Sequence, residues 1–128
     1  STNTKLDTVN TNLGTIDGRV DGLEALIATT NTNTAPATTL GNGATKTVAL
    51  AITPEVLAAS TPCKWVRLYA LTTNTGVVGW GGSGIAASGG VGHKLYPGDS
   101  ETIPVSNANA VYLSVSVNGE GVEWNYGV

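Results

Sequence analysis

The chain has 128 residues, 12% of them charged, and six Lys and Arg against nine Asp and Glu leave a net charge of −3. The basic residues stand singly (Lys5, Arg19, Lys46, Lys64, Arg67, Lys94), so no patch is offered to a phosphate backbone and no nucleic-acid partner is expected. No apolar run approaches the roughly 20 residues that span a bilayer, and residues 1–4 lack the charged head and apolar core of a secretory leader, so no membrane partner is expected.

Phe and Met are absent, and Gly, with 17 residues, is abundant alongside Thr, Asn and Ala. This composition suits a turn-rich β domain better than a helical enzyme. The single cysteine, Cys63, excludes an intrachain disulfide framework.

Apolar side chains fall at Leu6, Val9, Leu13, Ile16, Val20, Leu23 and Ile27, with spacings that alternate three and four. Leu6, Leu13, Val20 and Ile27 occupy heptad position a, and Val9, Ile16 and Leu23 position d. A repeat of 3.5 residues drives helices to supercoil around one another. The stripe is narrower than the apolar face of a helix docked on a globule. Between these positions stand mostly Thr, Asn, Asp and Gly, and Gly14, Gly18 and Gly22 each cost about 1 kcal/mol relative to Ala. Such a helix draws its stability from a partner, most simply its own copies. The helix is expected to start near Thr4 or Lys5, with Asp7 in its first turn, where a negative charge favours the positive end of the dipole.

Arg19 at g and Glu24 at the next e flank Val20 and Leu23. The segment Arg19-Val20-Asp21-Gly22-Leu23-Glu24 resembles the short trimerisation motif of parallel three-stranded coiled coils. That resemblance implies that Arg19 lays its stem over the core and pairs with Glu24 of the next chain. Residues 1–29 are therefore expected to form a homotrimeric coiled-coil stem with Leu6, Val9, Leu13, Ile16, Arg19, Val20, Leu23, Glu24 and Ile27 at the interface.

Residues 30–43 are uncharged, rich in Thr, Asn and Gly, and broken by Pro36. They read as a flexible linker or arm. Residues 44–128 read as a β head. Period-two alternation predicts a strand over 45–53, with Val48, Leu50 and Ile52 on one face. Residues 54–60 read as a loop or a single helical turn. The strongest strand is 63–73, with Val66, Leu68 and Ala70 facing a core and Trp65, Arg67, Tyr69 and Leu71 making a face suited to an interface. Short strands follow at 77–80, 85–87 and 93–96, then at 101–105, where Pro104 marks a sheet edge. Residues 110–117 alternate, with Val111, Leu113, Val115 and Val117 inward. Asn118-Gly119 predicts a hairpin into a last strand over 121–126. Seven or eight short strands suggest a β-sandwich or jelly roll, so the fold class is mainly β with an N-terminal helical stem.

Chemistry-bearing motifs are sparse. Gly79-Trp80-Gly81-Gly82-Ser83-Gly84 fits GxGxxG, but the residues after it cannot supply the helix that would present its N-terminus to a pyrophosphate. One His (His93) and one Cys (Cys63) are too few for a zinc site, and no DxDxDG calcium loop is present. No GxSxG element supports a Ser-His-Asp triad with His93 and Asp99. Asp99 and Glu101 flank a turn and are expected to be solvated. Neither a cofactor nor catalysis is expected. Trp65, Trp80 and Trp124, with Tyr69, Tyr96, Tyr112 and Tyr126, either fill the head and the trimer contact or, if exposed together, stack on sugar rings or a protein partner.

A Thr/Asn-rich heptad stem leading into a small Gly-rich β domain resembles accessory virion proteins of tailed bacteriophages. The likeness extends to an Asn-Thr-Gly turn at 74–76, the glycine-rich stretch after it, Leu95-Tyr96-Pro97-Gly98-Asp99-Ser100, and the Val111-Tyr112-Leu113 strand. It implies a trimeric structural protein of the virion, and first a capsid decoration (cement) protein. Such a protein binds the major capsid protein on the outer shell, after synthesis in the host cytoplasm. The alternative it implies is a head or tail fibre whose β head binds a host-surface glycan or protein receptor.

Overall fold

The structure is a computed structural model that describes residues 1–85 and 92–128. The chain divides into two compact units, Ser1–Pro36 and Ala37–Val128.

The first unit is one helix, α1 (Thr2–Thr34), 33 residues long. At 1.5 Å per residue it rises roughly 50 Å. It begins earlier than expected, so Asp7 lies beyond the first turn, which holds no acidic residue. It also runs on through residues 30–34, which the sequence assigned to a linker. Threonine hydroxyls find acceptors on the helix itself in this polar stretch. Those of Thr29, Thr30 and Thr34 donate to the carbonyls of Ala25, Leu26 and Thr30 at 2.9–3.0 Å, as Thr8, Thr11 and Thr15 do earlier. Each hydroxyl is thereby satisfied by a helix carbonyl, a bond compatible with the helix though it does not favour it. Pro36 sets the end, because the residue before a proline is pushed out of the helical region. Ala35 accordingly sits at φ −60°, ψ 141°.

The second unit holds eight strands among the described residues: β1 (Leu40–Thr47), β2 (Glu55–Val56), β3 (Trp65–Ala70), β4 (Val78–Gly81), β5 (His93–Leu95), β6 (Ser100–Pro104), β7 (Tyr112–Val115) and β8 (Gly121–Gly127). They form two antiparallel four-stranded sheets, ordered β1-β8-β3-β6 and β2-β7-β4-β5. The pairs β1·β8, β2·β7, β3·β6 and β4·β5 are nested one inside the next along the chain. The two sheets share one apolar core. Val66, Leu68, Ala70 and Val122 come from the first sheet, Val78, Leu95, Leu113 and Val115 from the second, and Val48, Leu57 and Val111 from the connections.

Several expectations change. The arm assigned to 30–43 shrinks to residues 35–39, because β1 already starts at Leu40. Even there, Thr38 and Thr39 N–H donate to the Val128 carbonyl at 2.8 and 3.1 Å. The strand expected over 45–53 ends at Thr47. Val48 is buried, but Leu50 and Ile52 are exposed in a loop, and Ile52 takes a left-handed φ of 61°. The Ile52 N–H bond to Val115 O (2.9 Å) and the Ala51 N–H bond to Asn118 Oδ1 (2.7 Å) hold that loop. Residues 54–60 contain the short strand β2 where a loop or helical turn was expected.

Asn118-Gly119 makes a turn, with Gly119 at φ 80°, but not a hairpin: β7 and β8 belong to different sheets. Val117, expected inside, is 40% exposed because it lies past the end of β7, whereas Ser114 on that inner strand is fully buried. Ile85 is buried and belongs to no strand, and the rest of the strand expected over 85–87 lies outside the described residues. Strand β3 stands where the alternation placed it, with Val66, Leu68 and Ala70 inward, and β6 lies close to the span expected of it, with Pro104 on an edge strand.

Candidate functional site

The first candidate surface is the α1 seam. Leu6, Val9, Leu13, Ile16, Val20, Leu23 and Ile27 are all between 43% and 58% exposed within the chain. Leu26 at position g, which the heptad reading passed over, is also exposed and widens the stripe next to Ile27. Leu13, Gly14, Ile16, Asp17 and Val20 line a shallow surface depression of about 450 Å³. Arg19 and Glu24 are exposed, and neither makes an ion pair among the described residues of the chain.

The second is the outer face of the β1-β8-β3-β6 sheet. Alternation along β3 turns Arg67 and Tyr69 away from the core, and alternation along β8 does the same for Glu123 and Asn125. The register sets Arg67 opposite Asn125 and Tyr69 opposite Glu123. The four side chains mark the corners of a rectangle around an open groove of about 260 Å³, which Trp124 also lines. Arg67 Nη2 donates to Ser100 Oγ on β6 at 3.1 Å. Across β8 a neighbouring depression of about 280 Å³ is lined by Asn42, Gly43, Ala44 and Thr45 together with Glu123, Trp124 and Asn125. A β-bulge forms there, three residues of β1 advancing from Asn42 to Thr45 while β8 advances two. Gly43 permits it, since a Cβ at that position would run into Trp124.

A third grouping joins the two sheets. Trp80 Nε1 on β4 donates to Glu101 Oε2 on β6 at 2.9 Å. His93, opposite Trp80 on β5, stacks on its ring with centroids 4.5 Å apart, and His93 Nδ1 stands 3.9 Å from Glu101 Oε1. Glu101, expected to be merely solvated, thus ties the sheets together. Trp80 and His93 meet across the consecutive strands β4 and β5, and Glu101 reaches them from the other sheet.

The remaining polar groups hold turns. Burial acts to raise the Glu120 pKa, but its carboxylate accepts from Thr75 N, Thr75 Oγ1 and Gly76 N, and these bonds hold it below the usual carboxylate value. The Lys46 ammonium, 2.7 Å from Glu55 Oε2, and the Ala49 N–H lower the Glu55 pKa. Buried Asn74 exchanges two hydrogen bonds with the Gly121 backbone. Burial pushes the Cys63 thiol up, and the thiol donates to Val105 O. Asp99 closes its own turn by accepting from Tyr96 N at 3.0 Å.

Of the three tryptophans, Trp80 and Trp124 pack partly against the core. Trp65 lies over Gly127, where a Cβ would also meet Ala37. Trp124 stacks on Tyr126, with ring centroids 5.6 Å apart. Residues 79–84 form the end of β4 and the turn after it, with no helix following among the described residues. Among those residues no group of three or more His, Cys, Asp and Glu gathers to hold a metal, and no helix is long and apolar enough to cross a membrane. In comparisons with known proteins, no family model, no curated protein and no solved structure matches this chain.

Proposed function

We propose that this chain is a structural virion protein of the capsid-decoration class. Three copies join through α1 as a parallel coiled coil and bind the major capsid protein on the outer shell, reinforcing it. The observation that carries the reading is the unbroken a/d seam on α1, exposed along its whole length within one chain. Exposed apolar area of this kind is a recurrent reason for chains to associate. The depression between Leu13, Ile16 and Val20 has the form of a hole for a partner's knob. Arg19 and Glu24, without an ion pair among the described residues, supply the inter-chain pair.

The nested strand pairs and the orders β1-β8-β3-β6 and β2-β7-β4-β5 support reading the β unit as an eight-stranded jelly roll. The fold does not by itself name a function. The virion assignment rests on the likeness of stem, turn and strand motifs to phage accessory proteins. A trimer suits the role, because weak contacts made three times sum to firm attachment without any single strong site. No catalytic step enters the reading.

The direct test is to add the purified protein to phage capsids that lack it and image them by cryo-electron microscopy. Decoration predicts density repeated over the shell lattice at sites that accept a trimer. A second reading, a head or tail fibre with a receptor-binding β unit, draws on the open polar and aromatic groove between β3 and β8. It predicts density confined to a vertex or the tail.

A further inference from the structure

We infer that the outer face of the β1-β8-β3-β6 sheet is a binding site for a neutral saccharide, with Arg67, Tyr69, Glu123 and Asn125 as its contact residues. Opposed side chains on such a sheet stand roughly 5 Å apart at Cβ and diagonal ones roughly 7–8 Å. Arg67 and Glu123 sit on a diagonal, within reach of each other, yet they form no ion pair. The guanidinium bonds Ser100 Oγ on the far side instead, so the groove opens between an unneutralised cation and an unneutralised anion.

That layout selects the ligand by charge. An anion that satisfies Arg67 meets Glu123, and a cation that satisfies Glu123 meets Arg67. A hydroxyl is both donor and acceptor. Neighbouring hydroxyls on one sugar ring therefore accept from Arg67, donate to Glu123 and do either with the Asn125 amide. The aromatic ring of Tyr69, 38% exposed, offers a flat surface to the ring's C–H face. The groove, at about 260 Å³, falls below the roughly 300 Å³ at which drug-sized pockets begin, so each depression suits one ring. The second depression lies across β8 and shares Glu123 and Asn125 with the first. Adjacent strands are about 4.8 Å apart, an offset suited to the next sugar along a chain, so the site is built for a disaccharide unit or longer. The inference does not depend on the capsid reading and holds wherever the protein sits.

The test is saturation-transfer-difference NMR on the full-length protein with maltose, cellobiose, lactose and N,N′-diacetylchitobiose as neutral probes and 3′-sialyllactose as the anionic one. At least one neutral disaccharide is expected to bind with Kd on the order of 1 mM. Arg67→Ala and Glu123→Gln are each expected to weaken it about tenfold or more, while Lys94→Ala on the other sheet leaves it unchanged. All three positions are exposed, and the far-ultraviolet spectrum checks that the variants fold. The inference is overturned if no neutral probe receives saturation, if Arg67→Ala and Glu123→Gln leave binding intact, or if sialyllactose binds best. It is equally overturned if those two variants abolish capsid binding while no saccharide binds, because the groove is then a protein interface.

Discussion

In the β unit Val48, Val66, Leu68, Val78, Leu113, Val115 and Val122 are wholly buried, whereas no seam residue of α1 is less than 43% exposed. The two units share the same apolar alphabet of Val, Leu and Ile. What separates them is where the covering surface comes from. The β unit folds its own second sheet over the first, so its core is complete within one chain. A single helix has no such option. Its stripe stays exposed within the chain, and in the proposed trimer it is covered by the other copies, which ties its stability to protomer concentration. Under that proposal the same mutation means different things in the two units: in one it changes folding, in the other association.

The sharpest way to break the comparison is to charge the seam. Ile16→Asp puts a carboxylate at a d position of every chain, and an unpaired charge taken out of water is not tolerated. Sedimentation is expected to find monomer, with helical circular dichroism lost and the β unit still melting cooperatively. Loss of the β transition as well would mean that the units are not independent.

Leu68→Ala tests the other side. Removing a fully buried leucine costs about 3 kcal/mol. At about 4–8 °C per kcal/mol for a unit of this size, the β transition should fall by more than about 10 °C while the oligomer mass is unchanged.

Glu120→Ala leaves the Thr75 and Gly76 N–H groups without their acceptor, at about 1 kcal/mol, and again only the β transition should move. The same carboxylate gives a pH signature. Its folded-state pKa is lowered, as is that of Glu55, so the unfolded chain takes up protons first as the pH falls. The stability these groups add is whole above the ordinary carboxylate value of about 4.3 and is lost as the pH drops through their lowered values. Melting of the β unit from pH 7 to pH 3 should show this decline, and Glu120→Ala should flatten it.

The smallest expected effect belongs to Arg19→Ala with Glu24→Ala. An exposed pair contributes about 0.2–1 kcal/mol. Trimer dissociation at micromolar concentration should rise measurably, and more at low salt. An unchanged trimer by sedimentation would show that the apolar seam alone sets association.

The apolar stripe of α1 and the inward face of β3 were legible in the sequence because each depends on local period, and the edge position of Pro104 because proline cannot donate to a ladder. The helix end was misplaced at residue 29, because the polar composition of residues 30–34 pointed to a linker and Pro36 was read only as a break within it; hydroxyl back-bonding to the carbonyl four residues earlier is a satisfaction that composition does not display. The Asn118-Gly119 turn was visible, its partners were not. A turn signal predicts a reversal of the chain but not whether the next strand joins the same sheet. Of the groove, Arg67 and Tyr69 were recognised as an outward face, while Glu123 and Asn125 needed the β3·β8 pairing, made by strands more than fifty residues apart. Trp80, His93 and Glu101 stand close in sequence, but their meeting needed β4 and β6 to be assigned to facing sheets, which local pattern does not carry.

One detail of the β unit bears on its use as a carrier. Val128 accepts from the Thr38 and Thr39 N–H groups and donates to the Thr39 carbonyl, so it lies beside the point where the chain enters the unit. Any segment joined after Val128 departs from that entry point. A displayed peptide intended to avoid it belongs instead in the Asn118-Gly119 turn, which is exposed and connects the two sheets. The adjoining ends also make the β unit a natural subject for circular permutation, with Ala37 and Val128 bridged by a short linker and new ends opened in that turn.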